Sequence, residues 1–114
     1  MHRSLLAPAL VVVLTQGATP RGASPPAIEA NTNQVAAGQL RRGVLTLRLV
    51  ARVGLLYPEG KDGPGIPVQA FGEEGRPLQI PGPLIRVPEG TELRVTVRNE
   101  ITGATLVLHG LTRR

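Results

Sequence analysis

Cysteine is absent from this chain of 114 residues, and so is tryptophan; it has one tyrosine, one phenylalanine, one methionine and two histidines. Without cysteine no disulfide can staple the fold, and neither a thiolate metal site nor a thiol nucleophile can be built. With two aromatic rings besides the histidines there is no platform on which bases could stack, so nucleic acid is not an expected partner despite a formal charge of +5. The charge is also dispersed. Apart from Arg41 with Arg42 and Arg113 with Arg114, basic residues are interleaved with Glu or apolar positions. No serine follows Ser24, which leaves no Ser, His and Asp set, and the glycines of GKDGPGIP lack the strand-to-helix setting of a nucleotide loop. No residue is read as catalytic.

What is present begins with a short basic stretch, MHR, then the apolar run LLAPALVVVL, then the small-residue and proline tail TQGATPRGASPPA. This is the layout of a secretory signal peptide, which predicts an exported protein, periplasmic or secreted. The apolar run holds Pro8 and is too short to span a membrane, which takes about 20 residues. Cleavage after Gly17, Ala18, Ala23 or Ala27 fits the pattern, and the presequence is taken as residues 1–23. Beyond it the chain carries 11 basic and 8 acidic residues. Residues 24–42, rich in Ala, Pro, Gly, Asn and Gln, read as a flexible leader; Gly38 weakens a short helix at QVAAGQL.

From Gly43 the pattern changes. Leu45, Leu47 and Leu49 alternate with Thr46 and Arg48, the mark of a strand with one buried face. Pro58, Gly60, Asp62, Gly63, Pro64 and Gly65 predict a long turn region, IPVQAF a further strand, and GEEGRP another turn. In TELRVTVRN, Leu93, Val95 and Val97 share one face while Glu92, Arg94, Thr96 and Arg98 share the other, as in an antiparallel strand with one wet face. The segments LIRV, at 84–87, and TLVLH, at 105–109, complete a count of about five strands. Short strands separated by turns predict an all-β sandwich or barrel.

The segment PGPLIRVPEGTELRVTVRNEITGATLVLHGL has a recurring order: a PGP turn at Pro81, Gly82 and Pro83, the strand Leu84 to Val87, a turn at Pro88, Glu89 and Gly90, the strand Leu93 to Asn99, and a closing His109, Gly110 and Leu111. In this order and spacing it resembles the N-terminal plastocyanin-like (cupredoxin) domain of multicopper oxidases. The pieces also have local reasons. Pro81 and Pro83 make a rigid corner, Gly82 and Gly90 can take positive φ, and Asn99 can bond neighbouring backbone where a strand ends. Plain turn chemistry accounts for all of them.

The resemblance implies a Greek-key β-sandwich over 43–114, copper as cofactor, and oxidation of a substrate coupled to reduction of dioxygen. It also implies that His109 is a metal ligand. In that family two histidines two residues apart on this strand face the same way, and the first of them falls at Val107 here, which cannot coordinate a metal. Thr105, Val107 and His109 share one face and Leu106 and Leu108 the other. His2 lies in the presequence, so His109 is the one histidine beyond it. A blue-copper centre needs a thiolate and two imidazoles, and Glu89, Glu92 and Glu100 read as solvated turn or strand-edge residues. The chain alone is therefore expected to hold no copper tightly, with the remaining ligands owed to further cupredoxin domains of a longer protein or to a partner chain. Five strands fall short of the seven or eight of such a sandwich, which reads as an incomplete domain: a fragment, a truncated reading frame, or one half of a sandwich. The other reading of His109 is a half-exposed strand-end histidine in a non-catalytic secreted segment that binds or scaffolds.

Overall fold

The computed structural model describes residues 10–17 and 24–109. Among these there is no helix, and seven strands form one mixed sheet: β1 (Leu10–Gln16), β2 (Glu29–Ala30), β3 (Gln39–Arg41), β4 (Val44–Leu56), β5 (Ile66–Glu73), β6 (Leu78–Ile80) and β7 (Glu92–Asn99). Their order across the sheet is β1-β7-β4-β5-β6-β2, with β3 also paired to β4. Accordingly, no helix among the described residues is long and apolar enough to cross a membrane.

β4 organises the sheet because it is long enough to serve different neighbours along its length. Val44 to Arg48 pair in parallel with Glu92 to Thr96 of β7, while Leu49 to Leu56 pair antiparallel with Ile66 to Glu73 of β5. The expected alternation holds in the first half: Leu45 and Leu47 are buried, Thr46 and Arg48 exposed. It gives way at Val50 and Ala51, both buried. There the second face is covered too, by residues 26–28 and Leu78, which crowd around Gly54. A Cβ on Gly54 would lie 2.6 Å from the Ile28 side chain and 3.0 Å from the Pro26 carbonyl oxygen, so the close approach of this backbone requires glycine.

The main core forms on the face of Leu47. It unites Leu47, Val95, Val97 and Ala37, with Val12, Leu49, Phe71, Leu93, Leu106 and Leu108 packed around them. Leu47 and Val97 are fully enclosed, and each contributes about 1.5–3 kcal/mol from burial.

Several expectations are corrected here. β7 is parallel to both its neighbours and not antiparallel; the hairpin of β5 and β6 and residues 81–91 form a connection long enough to return the chain in the same direction. LIRV contributes one isolated bridge, Leu84 with Ala36, and no strand. Residues 24–42 carry β2, β3 and two isolated bridges, Ala27 with Leu55 and Ala36 with Leu84. Gly90 takes the left-handed φ of 85° that its turn demands, whereas Gly82 is not among the positive-φ residues. The turn region at 57–65 is as expected, with Gly60 N–H donating to the Tyr57 carbonyl and Gly63 N–H to that of Gly60. Of residues 1–23, expected from the sequence to be a presequence, residues 1–9 and 18–23 lie outside the described residues, while Leu10–Gln16 is β1.

Truncation at the centre of this core should be costly and truncation at its outer rim should not. Leu47→Ala is expected to lower unfolding stability by about 2–5 kcal/mol in urea titrations, against less than about 0.5 kcal/mol for the exposed Val107→Ala.

Candidate functional site

The placement of His109 starts ten residues earlier, at the end of β7. Asn99 continues the core face of Leu93, Val95 and Val97 and is buried, 2% exposed. Its amide is satisfied from both ends: Nδ2 donates to the Ala104 carbonyl at 2.8 Å, and Oδ1 accepts from the Ile101 N–H at 3.0 Å. The side chain thus closes the loop 100–104, as the sequence suggests for an asparagine at a strand end, and aims the chain that leaves it.

From Ala104 the chain runs back over the core. Leu106 and Leu108 pack against Leu47, Val95 and Val97, whereas Thr105, Val107 and His109 are exposed. The two-residue alternation is therefore as expected, but Thr105 to His109 is not a strand. The reason is that β7 has β4 on one edge and β1 on the other, so no edge beside it is open to a further ladder. The segment is held by its leucines and by Asn99.

The donor set around His109 does not make up a copper site. Val107, two residues before His109 on the same face, is 62% exposed, and among the described residues there is no group of three or more His, Cys, Asp or Glu that could hold a metal ion. A copper cluster takes several imidazoles or thiolates, and this segment offers one. Gly110 and Leu111, which follow His109 in the sequence, lie outside the described residues.

Of the carboxylates, Glu89 is exposed as expected, and Glu92 pairs with Arg94 at 3.2 Å. Glu100 corrects the expectation of a solvated residue. Its side chain is 14% exposed and sits between two guanidinium groups, 3.0 Å from Arg52 Nε and 3.0 Å from Arg98 Nη2. The Glu100 N–H donates to the Ala51 carbonyl at 2.9 Å, which continues the β4–β7 register four residues past its last pair, Arg48 with Thr96, and sets Glu100 beside Arg52. This cluster lines a cavity of about 140 Å³ with Pro26, Val50 and Leu78. Its three charges leave one net positive, and its evident work is to tie β4 to β7 on the face away from the core. Sequence reading missed it; the same-face spacing of Arg98 and Glu100 was a usable signal, but the third member comes from a strand some fifty residues away.

Compared with family models, curated proteins and solved structures, the chain matches none of them. The assignment of a role rests on its own residues.

Removing the Asn99 amide should release the loop and the extended segment beyond it. Asn99→Ala is expected to cost about 1–3 kcal/mol of stability and to speed amide exchange at Ile101. Unchanged exchange there would show that the asparagine does not hold the loop.

Proposed function

We propose that the chain is an exported β-domain segment similar to the N-terminal cupredoxin domain of multicopper oxidases, which presents one copper ligand, His109, to a site completed by other protein segments. The observation that carries this reading is the outward row of Thr105, Val107 and His109, held against the core by Leu106 and Leu108. A rigidly seated extended segment with one exposed face is what a two-residue ligand spacing requires. The parallel pairing of β4 with β7 and the PGP corner, anchored where Asn31 Nδ2 donates to the Gly82 carbonyl at 2.9 Å, give the segment a defined base. The Greek-key sandwich, the periplasmic or secreted location and the oxidation of a substrate coupled to dioxygen reduction belong to the same proposal. This chain's own part is the presentation of one imidazole, and no step of the reaction is assigned to its residues.

The remaining ligands come from further cupredoxin domains or a partner chain, because one imidazole cannot hold a copper cluster. A second reading, a non-catalytic binding or scaffold segment that has lost the site, draws on the exposed Val107 where the family has its first histidine.

Mass-spectrometric identification of the polypeptides that accompany this segment in its cell of origin tests the first reading. Sequence bearing further His-x-His and His-Cys-His segments, in the same polypeptide or a bound partner, is the expected result; the segment isolated alone and without copper contradicts it. Titrated with Cu(II), the chain alone is expected to take up no stoichiometric copper. One tightly held ion per chain, lost in His109→Ala, would overturn the shared-ligand reading.

A further inference from the structure

β1 is an unusual edge strand. It follows β7 through seven register pairs, from Leu10 with Leu93 to Gln16 with Asn99, and the Gly17 N–H extends the ladder to the Asn99 carbonyl at 2.9 Å. Val12, opposite Val95, packs against the core. Yet the face turned away from the core carries Val11 and Val13, each 47% exposed, and Leu14 on the core face is 52% exposed. Neighbouring β7 obeys the ordinary rule, with Arg94, Thr96 and Arg98 on its outer face. A permanent edge strand carries charge or proline outward to blunt further association; this one has neither, and from Leu10 to Leu14 it is apolar on both faces.

Leu10 to Leu14 of this strand form the second half of the apolar run of the export signal read from the sequence. Their composition answers the demands of export, and their removal is the ordinary fate of such a segment. Removal would expose the full hydrogen-bonding edge of β7 and the flank of Val95 and Val97, a ready template for strand addition.

We propose that β1 is a placeholder on a strand-accepting edge of β7, and that in the exported protein this edge takes a strand from another polypeptide segment. The register defines the chemistry of that strand. It is extended and about seven residues long, with apolar side chains opposite Leu93, Val95 and Val97 and polar ones opposite Arg94, Thr96 and Arg98, acidic residues suiting the two arginines. The inference rests on the export reading for the removal of β1, but not for the exchange itself.

The test uses the full chain and a fluorescent synthetic peptide, LVVVLTQ flanked by lysines. Val12→Asp sets a carboxylate against the core and displaces β1 from its seat. Peptide is expected to bind this variant at least about tenfold more tightly than it binds wild type or Val13→Asp, in which β1 stays docked, and a peptide carrying Val12→Asp is expected to bind none of them. Should Val12→Asp not fold, the same titration is made on a chain that keeps Val12 and is cut within residues 18–23 at an introduced protease site, where labelled peptide is expected to replace the released segment. Equal weak binding to every form, cut or uncut, overturns the proposal. An export assay showing an uncleaved leader would sink the export reading and leave strand exchange standing.

Discussion

The parallel pairing of β4 with β7 sets Leu45 beside Leu93 and Leu47 beside Val95, and the remaining parts of the fold arrange themselves around that contact. Two apolar faces brought into one plane create the core; β5 then adds Phe71 beside Ala51, and the chain beyond β7 folds back to lay Leu106 and Leu108 over it. Because the pair is parallel, the chain between must travel the length of the sheet and return. That journey contains the β5–β6 hairpin, the PGP corner and the Gly90 turn. In a chain with no disulfide and one Phe, stability rests on aliphatic packing across this contact and on the ladder that keeps it in register.

The two faces of the pair do different work. On the core face, Asn99 ends the row of buried apolar residues and converts strand into loop, so the direction of the following segment depends on the position of β7. The outward row of Thr105, Val107 and His109 is thus a consequence of core packing. On the opposite face Glu100 joins Arg52 of β4 to Arg98 of β7. Breaking such a partly buried carboxylate from its guanidinium partners leaves uncompensated charge, which makes the cluster a lock on the same register.

Much of this was legible along the chain. The alternation of Leu45 with Thr46 and of Val95 with Arg94 reports directly which side chains are buried, since the pleat imposes a period of two. The turns at 57–65 and at Gly90, and the capping role of Asn99, follow from local chemistry. Strand direction was not legible, because alternation is the same in parallel and antiparallel ladders. Nor was the failure of 105–109 to pair, which depends on β1 holding the neighbouring edge from the far end of the chain. For the candidate site, the facing of His109 could be read from the two-residue period alone. The burial of Glu100 could not, since it takes a partner from β4.

β7 has one edge paired to β4 and the other to β1, the strand proposed to be replaceable. Successive backbone amides of a strand point to opposite sides, so residue-resolved hydrogen exchange of the full chain reads the two edges separately. Amides of β7 that face β4 are expected to exchange only with global unfolding, and those that face β1 at least about tenfold faster, through local release of β1. A single protection level along both edges would contradict the account, making β1 as integral to the sheet as β4.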